Sequence, residues 1–193
     1  MHEQIIQSIK SRVEISDQDA ETLKRYFIPK KVRKRQYILN AGDICQYMAF
    51  VEKGFLRSFS VEENGNEHVI QFAMEGRWIS DLASFFSEVN AVYNIEALED
   101  CELLLLTKSA LDEMVGQFPQ VERYFRILMQ EHIITLENRI GYAHSYTAEE
   151  KYLKLMKVHP TIIQRSPQQY IASYLGITPE TLSRIRKQLS SKK

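Results

Sequence analysis

The sequence predicts an α+β protein with three parts. They are an N-terminal antiparallel β-roll of the jelly-roll (double-stranded β-helix) type, a long connecting helix, and a C-terminal winged-type helix-turn-helix. Three observations carry that expectation. Gly42, Gly54, Gly65 and Gly76 punctuate the first half at spacings of 12, 11 and 11 residues, the rhythm of turns between short antiparallel strands. An apolar stripe at helical spacing then follows Pro119. Finally, residues 166–189, SPQQYIASYLGITPETLSRIRKQL, read as two short helices joined by Gly-Ile-Thr. The implied division is 1–118 for the roll, 119–145 for the connector and 146–193 for the helix-turn-helix.

Taken in order, the chain first offers a helix. Ser16 is placed to cap it, Asp17 and Asp19 favour its first turn, and Leu23, Tyr26 and Phe27 follow. Strand-like stretches occupy 47–52, 55–61 and 68–73, with two more around 93–97 and 102–106. Asn64-Gly65 marks a hairpin, because both residues tolerate positive φ. After Ser109 the pattern is helical again. Pro119 suits the first turn of a helix running to about Tyr142. Phe125, Met129, Ile133, Leu136 and Ile140 recur at intervals of 4, 4, 3 and 4 and so form one stripe. Such a helix is roughly 36 Å long at 1.5 Å per residue, more than a small roll covers, so the stripe is expected to pair two subunits symmetrically. Thr147-Ala-Glu-Glu150 has the form of a capping box, and His159-Pro160 ends the helix it starts.

Composition narrows the function. The chain carries 25 basic and 25 acidic residues, but the balance is uneven. From Lys151 onward there are nine Lys or Arg and one acid, which leaves 16 basic and 24 acidic residues before it. A basic tail on an acidic body points to a polyanionic partner for the tail. No apolar run approaches the ~20 residues a bilayer span needs, and MHEQIIQSIK lacks the apolar core of a signal peptide. The expected location is therefore the cytoplasm, with no membrane partner. Cys45 and Cys101 are isolated from each other, and His2, His68, His132, His144 and His159 are dispersed, so no disulfide framework, metal site or cofactor is expected.

In the last segment, Ser166 is expected to cap a helix that starts at Pro167, with Gln169 completing a capping box. Ile171, Ala172 and Leu175 give its inner face, and Gly176 ends it in the left-handed conformation. Thr178 caps the next helix, again with proline first, and Leu182, Ile185 and Leu189 face inward. A small residue is needed where two such helices cross, and Ala172 occupies that place. At 100° per residue, Glu180, Ser183, Arg184 and Lys187 cluster on the opposite, outer face. Arg184 could donate two hydrogen bonds to guanine and Glu180 could accept one from cytosine. Lys187 suits phosphate, and Thr178, Thr181 and Gln169 could hydrogen-bond phosphate oxygens.

Roll, long helix and helix-turn-helix in this order resemble the CRP/FNR family, the relatives of cyclic-AMP receptor protein. The resemblance covers nearly the whole chain. It rests on Gly42, Gly54 and Gly76, on Trp78-Ile79-Ser80-Asp81-Leu82, and on residues 177–189. It implies a homodimer on palindromic double-stranded DNA, RNA polymerase as a further partner, and a small-molecule effector of unknown identity. Glu180 and Arg184 match the family's base-reading acid and arginine, and Pro179 stands where a second base-reading arginine would be. Little sequence follows the recognition helix, so a full closing wing is not expected.

The effector cassette departs further. The family pattern is Gly-Glu-Leu, a short helix, then Arg-Ser/Thr-Ala. Here the first part is Ser80-Asp81-Leu82, and Ala91 and Val92 fall at the arginine and hydroxyl positions. No arginine lies between Arg77 and Arg123. A buried phosphate without a cation is costly, so Asp81, Leu82, Ala91 and Val92 are expected to line a degenerate pocket that has lost cyclic AMP. A cyclic-nucleotide or other small-ligand sensor with a non-standard pocket is the alternative. An enzyme of cupin type would need paired histidines and a carboxylate inside the roll, where only His68 lies, so no catalytic activity is expected.

Overall fold

The structure, a computed structural model, describes residues 2–191, excluding the side chains of residues 142–144. His144 therefore lies outside the described set. The β-roll is present as eight strands, β1 (Ile28–Val32), β2 (Tyr37–Leu39), β3 (Tyr47–Lys53), β4 (Phe55–Val61), β5 (Glu67–Met74), β6 (Trp78–Ile79), β7 (Asn94–Ala97) and β8 (Cys101–Thr107). They form two four-stranded sheets in the orders β1-β8-β3-β6 and β2-β7-β4-β5. The antiparallel pairing of β3 with β8 sets Phe50 against Leu104 and Val51 against Leu103; all four are buried, and the two pairs lie on opposite faces of the sheet. The β3–β4 turn depends on glycine. Gly54 has φ +108°, and a Cβ there would lie 2.5 Å from Cys101 Sγ and 2.8 Å from the Asp100 carbonyl oxygen.

Five strands lie within a residue or two of the stretches expected from turn spacing. Three were not anticipated. β1 is exposed except for Val32, β2 has three residues and β6 has two. Such short or edge strands carry no local alternation and exist because a distant partner pairs with them.

Helices α1 (Glu3–Lys10) and α2 (Asp17–Leu23) precede the roll. Ser16 accepts the Asp19 N–H, as its cap position requires. α1 was not foreseen. Ile5 and Ile9 bury one face of it, and the Glu52 carboxylate on β3 accepts the Gln4 and Ile5 N–H groups at 3.3 and 2.9 Å. That anchor comes from a residue 47 positions away. Helix α3 (Leu82–Ser87) sits between β6 and β7, and α4 (Lys108–Gln117) follows β8.

The long helix α5 spans Pro119–Ser145, 27 residues or about 40 Å at 1.5 Å per residue. Trp78 lies against Phe50 and Phe125 with ring centroids 5.2 and 5.6 Å apart, and its Nε1 donates to the Tyr124 hydroxyl at 3.1 Å. Burial pushes the Tyr124 phenol up from its ordinary pKa, against the opposing effect of hydrogen bonds to Ser8 and Trp78. The aromatic start of α5 therefore belongs to the roll's core.

The chain divides into two compact units, one of residues 1–58 and 72–132, the other of 59–71 and 133–193. The second contains α6 (Ala148–Val158), α7 (Pro160–Arg165), α8 (Gln168–Leu175), α9 (Pro179–Ser191) and the turn between β4 and β5. The capping box at Thr147 and Glu150 is formed. Within this unit, Ser173 donates to the Glu67 carbonyl at 2.7 Å and accepts the Val69 N–H at 2.9 Å. Arg139 lies 4.7 Å from the centroid of the Tyr174 ring. Among the described residues no helix is long and apolar enough to cross a membrane.

Candidate nucleic-acid interface

The local chemistry of residues 166–191 places the outer face of α9. Ser166 is not the cap of α8. Its N–H closes α7 on the Ile162 carbonyl, the residue is buried, and Pro167 takes the N-cap position with no side-chain hydrogen bond. The expected box with Gln169 is therefore not formed, because Ser166 is already engaged as the end of the preceding helix. Gln169 is exposed on the first turn of α8.

Gly176 ends α8 with φ +66°, and the Ile177 N–H reaches back to the Ala172 carbonyl at 3.0 Å. This six-residue closure needs the left-handed conformation that glycine adopts without penalty. Thr178 then accepts the Thr181 N–H at 3.2 Å and starts α9. Ile171, Ala172, Leu182 and Ile185 are buried, so the inward face of each helix is fixed. Rotation follows from that burial. Glu180, Ser183, Arg184 and Lys187 are exposed, and together with Pro179 they line one shallow depression. Thr178 is exposed and Thr181 half-buried beside it, their hydroxyls 3.2 Å apart. Among the described residues, no side chain forms an ion pair with Glu180, Arg184 or Lys187.

From α6 to α9 the described residues form helices and the turns between them.

The residues expected to line a pocket of the roll are arranged differently. Asp81 is buried at the N-terminus of α3, where Oδ1 accepts the Ser84 N–H at 3.1 Å. Its Oδ2 accepts the Val92 and Tyr93 N–H groups at 2.9 and 3.4 Å. The carboxylate thus ties the helix to the loop before β7. Leu82 packs on the core, Ala91 is buried with its backbone paired to Gly42 and Asp43, and Val92 is 61% exposed. One feature escaped the sequence reading. Arg57 on β4 and Glu96 on β7 are buried together, with Nε and Nη2 donating to one carboxylate oxygen at 2.9 and 2.7 Å. Nothing local in the sequence shows that they turn toward each other across 39 residues. Cys101 is also enclosed, and burial raises its pKa to about 11, so it stays a protonated thiol at neutral pH.

A β-roll followed by a long helix and a helix-turn-helix defines a class of transcription regulators that couple a sensor domain to a DNA reader. Residues 29–118 match the cyclic nucleotide-binding domain. The chain is 27% identical over 172 residues to the regulatory protein HlyX of Actinobacillus pleuropneumoniae, covering 81% of this chain and 69% of that protein. It is 26% identical over 169 residues to the fumarate and nitrate reduction regulatory protein of Vibrio cholerae, covering 81% and 66%. The chain therefore spans about two thirds of the length of these relatives. In fold it is similar to FixK2 of Bradyrhizobium japonicum, with a TM-score of 0.74 at 21% identity over 86% of this chain and 85% of that one. The catabolite activator protein of Thermus thermophilus gives 0.59 at 18% over 92% and 85%. In sequence and in fold the chain is similar to CRP/FNR family regulators, and it is a DNA-binding transcription regulator.

Proposed function

We propose that this regulator is a cytoplasmic homodimer, not an enzyme, that reads a palindromic operator through α9, with a roll that no longer takes cyclic AMP. The observation that carries the reading is the outer face of α9. Acid, hydroxyl, guanidinium and ammonium lie side by side at the start of a helix whose other face is buried. A recognition helix reads bases from this part of its length. Arg184 is assigned to guanine, Glu180 to cytosine, and Ser183 to an adjacent base edge. Lys187, Thr178, Thr181 and Gln169 are assigned to the backbone.

The dimer is assigned to α5. Phe125 and Met129 pack on the roll core, but Ile133, Leu136 and Ile140 are 55%, 40% and 64% exposed in the single chain. An apolar face of this kind on a long helix calls for a partner, and a second copy would place half-sites one helical turn, ~34 Å, apart. RNA polymerase is a further partner in this reading, and the effector, if not cyclic AMP, is a less anionic small molecule.

The test is a selection from randomised duplexes followed by two variants. Wild type should enrich inverted repeats. Arg184→Ala should lose about 1–3 kcal/mol at one base pair and relax specificity there. Lys187→Ala should weaken binding to all sequences alike and lower the salt slope by about one. Equal losses on selected and random DNA in both variants would overturn the proposed readout.

A further inference from the structure

Helix α1 is fastened at one end to β3 and at the other to α5. At its head, Glu52 on β3 accepts the Gln4 and Ile5 N–H groups. Further along, the Ser8 hydroxyl lies 2.9 Å from the Tyr124 hydroxyl on α5, which also accepts from Trp78. In the turn after α1, Arg12 Nη2 and Nε donate to the two carboxylate oxygens of Glu131 at 3.0 and 3.4 Å. Nη1 of the same guanidinium donates to the Ser8 carbonyl at 3.2 Å. We propose that α1 and Arg12 form a brace that sets the tilt of α5 on the roll, and through it the half-site spacing that the subunit pair reads.

The brace engages the back of α5. Tyr124 and Glu131 are about two helical turns apart and so share one face. At 100° per residue that face points about 160° away from Ile133, Leu136 and Ile140, the stripe assigned to the second subunit. Gripped from behind at two levels, the helix is restrained from rocking. Glu131 lies in the last turn of α5 that belongs to the first compact unit, which ends at residue 132. A tilt of about 10° at that point would displace Ser145, about 21 Å further along the helix, by about 4 Å. That displacement is close to the ~3.4 Å rise of one base pair.

Holding α1 in place does not itself require Arg12. Ile5, Ile9 and Val13 already bury this segment in the roll's core. The side chains of Arg12 and Glu131 are partly exposed, and such a pair adds little to stability. Its contribution is directional. A planar guanidinium that meets a carboxylate through two nitrogens fixes orientation as well as distance.

This inference rests on the proposed dimer and operator, and half-site spacing separates the two. Affinities are measured for wild type, R12Q, E131Q and the exchanged pair R12E/E131R. The duplexes are the selected inverted repeat, versions with one base pair added or removed between half-sites, and a single half-site. Wild type should prefer the selected spacing. R12Q and E131Q should keep the half-site affinity and unfold near the wild-type thermal midpoint, while their preference for the selected spacing falls about two- to fivefold. R12E/E131R should restore most of that preference, because the pair is remade with its charges reversed. Equal discrimination by wild type and R12Q would overturn the brace while leaving the operator reading intact. A wild type indifferent to spacing would overturn both. Reduced half-site affinity, a markedly lowered thermal midpoint, or an exchanged pair no better than the single variants would assign Arg12 to the fold alone and likewise overturn the proposal.

Discussion

The interior of the roll and the outer face of α9 hold similar polar groups in opposite circumstances. In the roll, Arg57 and Glu96 face each other at 2.7 Å and Asp81 accepts three backbone N–H groups. On α9, Glu180 and Arg184 are one turn apart and exposed, yet they do not pair. Charge that is buried has to be satisfied internally, since stranding it costs several kcal/mol. Charge that reads another molecule has to be left available. The same residue types therefore build a core in one region and a reading surface in the other.

The largest expected effect probes the buried pair. Glu96→Ala should destabilise the protein by about 3–5 kcal/mol, because it leaves Arg57 buried without its carboxylate. The double variant Arg57→Met, Glu96→Leu should recover most of that loss. Urea unfolding followed by tryptophan fluorescence is suited to the test, since Trp78 sits in the same unit. If Glu96→Ala unfolds at the wild-type midpoint, the pair is not a structural element and the contrast with α9 loses its first half.

A second effect lies on the exposed side of the comparison, where an apolar face awaits a partner in the way the charged face of α9 does. Leu136→Asp puts a charge into the proposed helix pair and should weaken dimerisation by on the order of 100-fold. The protomer should fold normally, because Leu136 is 40% exposed within the single chain. Sedimentation equilibrium measures the first and thermal unfolding of the diluted protein the second. A folded variant that remains dimeric at low concentration would remove α5 as the interface.

The two regions also differ in how far the sequence disclosed them. The helix-turn-helix was legible because its determinants are local. Gly176, Thr178 and Pro179 act within four residues of themselves, and Ile171, Ala172, Leu182 and Ile185 mark the buried faces by spacing alone. Turn signals likewise located β3, β4, β5, β7 and β8. What stayed hidden depends on distant residues. α1 is anchored by Glu52, β1 exists through its pairing with β8, and Arg57 turns inward for Glu96. The Ser166 assignment failed for a related reason. Its side chain fits a cap in isolation, but the unanticipated α7 already uses that residue as its end.

The smallest expected effect is an absence. Cyclic AMP is an anion, and holding it in a closed roll requires a cation free to meet it. At the cassette positions the chain has Ala91, with its backbone tied to Gly42 and Asp43, and the outward Val92. Asp81 accepts from three backbone groups, which fixes its carboxylate between the head of α3 and the loop before β7. Arg57 is the buried guanidinium of the roll, and Glu96 holds it through two nitrogens. Each charge-assisted bond to an ionised group contributes roughly 1.5–3 kcal/mol, so losing two weakens binding by about 10²- to 10⁴-fold. Isothermal titration of wild type with cyclic AMP or cyclic GMP should show no saturable heat in the micromolar range. Saturable micromolar binding would restore a nucleotide sensor and break the comparison. Glu96→Gln sharpens it, because the amide cannot neutralise the guanidinium. Cyclic nucleotide affinity present in that variant and absent in wild type would locate the loss of binding at the Arg57–Glu96 pair. Equal absence in both would locate it at Ala91 and Val92, where neither a cation nor a hydroxyl is offered to the phosphate.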